Sequence, residues 1–278
     1  MELPPDVMSD SDPSLPYSDS EPSLPDDVVS DDDDHADVCD VVHPGLAAVP
    51  SPVAARTLSG WHVVAEYYSV PRIVPAAAMY GLPGSLSLDI LTGWDFHNAC
   101  NRALSIALLA QLHIILLILS PPCTMYSAIQ RLLNFKHWSE DEIAARMSEA
   151  DVLLDHAMAC ATTQISRNAF FLFEHPASAS SWTRPSVQTV RALPGVKCVT
   201  ADMCMLGLVS PVDKVPMRKR TRFMTNCSLL AQSFEGLYCD KSHMHQVIEG
   251  VEGGIRRCKA AQVYPHGVID RVVSELRE

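Results

Sequence analysis

The run Leu116-Leu117-Ile118-Leu119 stops abruptly at Ser120-Pro121-Pro122-Cys123. A short apolar run of this kind reads as a strand buried on both faces. Two prolines cannot continue a sheet ladder, so the strand must end there. The same grammar recurs along the chain. Phe170-Phe171-Leu172-Phe173 stops at Glu174-His175-Pro176, and Trp61-His62-Val63-Val64-Ala65 runs into Glu66-Tyr67-Tyr68-Ser69. Leu86-Ser87-Leu88-Asp89-Ile90 is a fourth short strand with a polar end. Helical patterns separate these strands. One covers 73–80, with Pro75 in its first turn and Gly81 closing it, and another covers 96–112. A third opens at a capping box, Ser139 with Glu142, and runs to about residue 164. Further strands are expected at 196–200 and 222–224, and 262–276 ends as a helix. Strands alternating with helices predict an α/β fold: a doubly wound, mostly parallel sheet covered by helices.

Composition matters here mainly through its segregation. The chain has 278 residues, 47% of them hydrophobic, enough for one sizeable domain. Its net charge of −12 is concentrated in the first fifty residues, which hold 14 acids and no Lys or Arg. The rest holds 19 acids against 21 bases. Residues 1–57 therefore read as a disordered Asp/Ser/Pro-rich tail, able to meet a basic partner, and 58–278 as the folded domain. Nine scattered cysteines without a secretory leader fit free thiols and an intracellular setting, nuclear or cytoplasmic. The apolar stretch 103–119 is broken by Gln111 and His113 and is too short to span a bilayer, so no membrane partner is expected.

Parallel strands place their carboxyl ends on one rim, where α/β proteins bind ligands. Glu66, Cys123 and Glu174 should converge there although they are remote in sequence. Cys123 is then a candidate nucleophile, against the alternative of a small packed hydrophobe. Arg218, Lys219, Arg220 and Arg222 form the clearest footprint for phosphates, against the alternative of a solvated basic loop. Trp182 stands in a polar loop and is a candidate for stacking on a base, or else a loop anchor. Cys239, His243 and His245 fall in one short segment and, with the remote Cys204 as a possible fourth ligand, invite a zinc reading. Their spacing matches no standard zinc finger, so surface histidines near a helix start are expected and no metal.

These strand ends resemble the cytosine carbon-5 DNA methyltransferases. That family's nucleophile motif is Pro-Pro-Cys followed closely by an aromatic residue and Ser, and here it reads Pro121-Pro122-Cys123-Thr124-Met125-Tyr126-Ser127. Glu66-Tyr67-Tyr68-Ser69-Val70 stands in place of the family's Asp-Leu-Phe-Ser-Gly, and Glu174-His175-Pro176 in place of Glu-Asn-Val. The chain is most similar to methyltransferase-like segments of protist retroelement polyproteins, which share Ser-Pro-Pro-Cys-Thr, Glu-His-Pro and a late Tyr-Pro, here Tyr264-Pro265. The resemblance implies S-adenosylmethionine as cofactor and DNA as substrate. It assigns catalysis to Cys123, Glu174 and a supporting Arg222. It assigns cofactor contacts to Glu66, Ser69, Asp89, Asp95 and Pro121. Nucleic-acid contacts fall to Ser127, Trp182, Arg218, Lys219 and Arg220. Val70-Pro71-Arg72 stands where the family has its Gly-rich turn. That departure favours an alternative, a catalytically degenerate methyltransferase-fold module that binds nucleic acid or protein. A Cys-dependent hydrolase is a third reading, without a sequentially placed His.

Overall fold

The structure, a computed structural model, describes residues 61–82 and 85–277. The expected tail, 1–57, lies outside the described residues. Six strands, β1 (Trp61–Tyr67), β2 (Ser85–Leu88), β3 (His113–Leu119), β4 (Phe170–Pro176), β5 (Lys197–Asp202) and β6 (Arg220–Thr225), build one sheet in the order β2-β1-β3-β4-β6-β5. Strand β1 runs parallel to β2 and β3, and β3 parallel to β4. The four strands expected to be parallel neighbours are so. Strand β6 is antiparallel to both β4 and β5. It therefore enters at the rim where the parallel strands leave.

Helices cover both faces: α1 (Ile73–Met79), α2 (Ala99–Gln111), α3 (Ala128–Leu133), α4 (Glu140–Ser166), α5 (Pro185–Arg191), α6 (Ser228–Phe234), α7 (Arg257–Ala260) and α8 (His266–Glu275). A small hairpin, β7 (Val251–Glu252) with β8 (Ile255–Arg256), stands apart from the main sheet. Because successive strand residues point to opposite faces, each strand feeds two cores. On one face Leu117, Phe171 and Phe173 pack with Leu108 of α2, Leu154 of α4 and Val187 of α5. On the other, Leu116, Ile118 and Leu172 pack with Ile73 of α1, Leu230 of α6 and Val268 of α8. The Ser139 capping box forms as expected: Ser139 Oγ accepts from the Glu142 amide at 3.2 Å, and Glu142 Oε2 accepts from the Ser139 amide at 2.8 Å. No helix among the described residues is long and apolar enough to cross a membrane.

Candidate active site

The carboxyl rim carries a cavity of about 470 Å³, walled by Ser69, Asp89, Cys123, Glu174, Lys219 and Tyr264 among others. Pro121 also lines it. Cys123 begins a tight turn, Thr124–Tyr126, because Pro121-Pro122 ends β3 and sends the chain across the rim. Burial raises the Cys123 thiol above its ordinary range, the positive charge of Lys219 pulls it down, and Glu174 pushes it up again; the net shift is upward. At neutral pH the resting group is therefore the thiol.

Lys219 Nζ donates to Glu174 Oε1 at 3.2 Å. Burial alone would lower the Lys219 ammonium, but Glu174 and Cys123 outweigh it and hold the group above its usual range. This cation reaches the site because β6 is antiparallel: Lys219 immediately precedes β6, and the start of β6 pairs with the end of β4, which carries Glu174. Lys219, expected on a phosphate-binding surface, is instead part of the cavity wall.

His175 ties the two motifs together. Its Nε2 lies 2.8 Å from the Pro121 carbonyl, which can only accept, so Nε2 carries the proton. Nδ1 then accepts from Ser181 Oγ at 2.7 Å. Burial lowers His175 to about 4, so the ring is neutral at pH 7. Tyr264 closes the far wall, and its hydroxyl meets Ser120 Oγ. Sequence reasoning gave neither His175 nor Tyr264 a role, although both lie within the Glu-His-Pro and Tyr-Pro elements it had marked.

Glu66 is fully buried and does not line the cavity. Its carboxylate accepts from Ser69 Oγ at 3.1 Å, the Arg72 amide at 3.0 Å and the Val74 amide at 2.5 Å. It organises the turn into α1 by taking up the Arg72 and Val74 amides. Burial raises its carboxyl, offset by those bonds. The expected cofactor contact is corrected to a loop-organising role. The missing glycine has a structural counterpart in Tyr68, which adopts φ 65° in the left-handed region. Such a conformation costs a bulky residue about 1–2 kcal/mol. It is held because the Tyr68 hydroxyl meets the Leu153 carbonyl at 3.0 Å and His156 Nδ1 at 2.5 Å.

Asp89 lines the cavity and also caps the turn Ile90–Thr92, accepting from the Leu91 amide at 2.9 Å. Asp95 lies in a neighbouring hollow of about 110 Å³ shared with Asp89 and Trp94. Its Oδ1 accepts from the His97 amide at 2.9 Å.

Five expected contacts fall elsewhere. Arg222 pairs with His175 across the sheet while Phe223 pairs with Glu174. Strand alternation therefore sends Arg222 to the face opposite Glu174, where its guanidinium lies 5.0 Å from the centre of the Trp182 ring. Trp182 is only 4% exposed, packs edge-on against Phe173, and donates to the Pro176 carbonyl at 2.8 Å. It is a core anchor with no free face for a base. Ser127 caps α3, accepting from the Gln130 amide at 3.1 Å. Arg220 grips the buried Asp202 with both Nε and Nη2 at 2.9 Å, and Arg218 Nε approaches the same carboxylate at 3.8 Å. The basic cluster is thus partly neutralised from within.

Cys204, weighed from the sequence as a possible fourth ligand, does join the other three. Remote in sequence, it stands beside Cys239, His243 and His245, with all four ligand atoms within 4.8 Å of one another. The two histidines lie in an irregular segment and not at a helix start. Among the described residues, Cys123, Cys204 and Cys239 are free thiols. No family model and no curated protein matches the chain.

Proposed function

We propose that this protein is an S-adenosylmethionine-dependent cytosine carbon-5 DNA methyltransferase on a Rossmann-like sheet, akin to the methyltransferase-like segments of protist retroelements, acting in the nucleus or cytoplasm. One observation carries the reading: Cys123 and Glu174, from different strand ends, line one cavity together with a lysine that acts on both.

Carbon 5 of cytosine is a poor nucleophile until the 5,6 double bond is broken. Attack of the Cys123 thiolate at carbon 6 forms an S–C bond and pushes the electron pair towards carbon 5. Lys219 supplies the positive neighbour that a buried thiol needs to ionise. Glu174 would contact the ring nitrogen and amino edge of a base extruded from the duplex. Once carbon 5 is methylated, water takes up its proton and the S–C bond breaks with its electron pair returning to Cys123 as thiolate, which restores the ring. The cavity volume suits a drug-sized ligand. Ser69 and Asp89 would hold the cofactor, and Ile90, 67% exposed beside the hollow of Asp95, offers an apolar face to a flat ring. Bound there, S-adenosylmethionine supplies an electrophilic methyl group.

A second reading, a degenerate scaffold that binds nucleic acid or protein, is favoured by Glu66, which occupies the Arg72 and Val74 amides in a loop without glycine. Two measurements separate the readings. Calorimetric titration with S-adenosylmethionine should show binding, and DNA carrying 5-fluorocytosine should then form a covalent adduct that Cys123→Ala abolishes. Cofactor and DNA binding without an adduct refutes the carbon-5 mechanism. Absence of cofactor binding leaves the scaffold.

A further inference from the structure

We infer that Cys204, Cys239, His243 and His245 bind one structural zinc ion. The inference stands apart from the methyltransferase reading, since none of the four lines the cavity.

The spacing is close to what a tetrahedral site needs. Zinc bound at about 2.3 Å to sulfur and about 2.0–2.1 Å to nitrogen places its ligand atoms roughly 3.3–3.8 Å apart. Cys239 Sγ lies 3.3 Å from His245 Nε2 and 3.7 Å from His243 Nε2. The two imidazoles stand nearly edge to face, with ring centres 4.6 Å apart. Cys204 supplies the fourth corner, and the whole set spans no more than 4.8 Å. All four residues are half-buried, which shields a bound ion yet leaves a path for it.

Chemistry selects the metal. Two thiolates and two imidazoles are soft and borderline donors, which suit zinc and disfavour magnesium or calcium. Two thiolates also neutralise a divalent cation. The carboxylate of Asp202 is taken by Arg220 and by the Cys239 amide at 3.0 Å, so it orients the site from outside. The Lys241 amide donates to Cys239 Sγ at 3.3 Å and helps fix the sulfur in place. Four protein ligands leave no open position, so the site is structural and not catalytic.

Its place in the fold explains what it would do. Cys204 sits in the turn Met203–Leu206 that ends β5, whereas 239–245 has no helix or strand of its own. An ion would clip this irregular segment to the rim. The Met203 amide donates to the Lys219 carbonyl at 2.9 Å, so the clip lies directly behind the lysine that meets Glu174.

The full chain, purified without chelator, should contain one zinc per molecule by elemental mass spectrometry. Cobalt exchanged into it should show the visible bands of a tetrahedral site and a thiolate-to-cobalt charge-transfer band. Cys204→Ser, Cys239→Ser and His243→Ala should each weaken metal binding at least about a hundredfold, while Cys258→Ser, at an exposed thiol, should leave it unchanged. Should those variants fail to fold, His245→Cys keeps four ligands and should retain the ion with a stronger charge-transfer band. A chain that takes up no zinc, or one whose zinc affinity is unaltered in the Cys204→Ser/Cys239→Ser double variant, overturns the assignment.

Discussion

At the scale of single residues, Lys219 decides how reactive Cys123 can be. The thiol lies above its ordinary range because burial dominates, and Lys219 is the group that opposes it. Alkylation needs the thiolate, so the rate at Cys123 should climb with pH later than for an exposed cysteine, whose pKa is about 8.5. Lys219→Met removes the opposing charge and should move that climb to still higher pH, slowing alkylation about tenfold per unit at fixed pH. Lys219→Arg should recover part of the loss. Peptide-resolved mass spectrometry after iodoacetamide pulses reads the Cys123 peptide separately from the other thiols. A profile indifferent to residue 219 would remove this lysine from the chemistry. The residue was visible in the sequence only as one of four clustered cations. Which of them meets Glu174 depends on strand register and direction, which composition does not encode, and so Arg222 looked equally suitable.

Among the elements, the close seating of α8 on the turn Met203–Leu206 makes a sharp test. A Cβ added at Gly267 would lie 2.6 Å from the Leu206 carbonyl oxygen and 2.9 Å from its Cα, both backbone atoms. In a helix, Ala ordinarily gains about 1 kcal/mol over Gly. Here overpacking at about 1–3 kcal/mol should prevail, so Gly267→Ala should lower the urea midpoint. A raised midpoint would mean that α8 can slide away from the turn. The elements legible in the sequence were those with a strong stop: β1, β3 and β4, each an apolar run ended by a polar or proline signal, and α4, announced by Ser139 and Glu142. Helices α3, α5 and α6 went unread. They span only 6, 7 and 7 residues, too short for a hydrophobic period to repeat. The direction of β6 was also hidden, because an antiparallel strand buried on both faces has the same composition as a parallel one.

For the whole molecule, two buried histidines set the response to acid. Burial holds both His156 and His175 at about 4, against an ordinary value of 6.5. Arg102 adds to the effect at His156, whereas Glu174 opposes it at His175. Both rings are neutral when folded and take up a proton on unfolding below pH 6.5. The unfolded state therefore binds more protons between about 6.5 and 4, and stability falls as pH drops through that window. Each ring contributes at most about 3 kcal/mol over the window. Melting temperatures from pH 7 down to 4 should decline steeply, and His156→Gln should flatten the curve by roughly half. A flat wild-type profile would contradict the burial of these rings.

The contact between Tyr264 and Ser120 joins residues 144 positions apart. During synthesis Cys123 is made long before the wall that shelters it. Every nascent chain passes through an interval in which Cys123 is present and its enclosure is not. A messenger cut short between β6 and α8 would yield a chain without Tyr264 and without the α8 side chains packed on the sheet, and Cys123 would be less enclosed than in the finished protein. In such chains the Cys123 peptide should alkylate faster than in finished ones, a signature by which the two can be told apart.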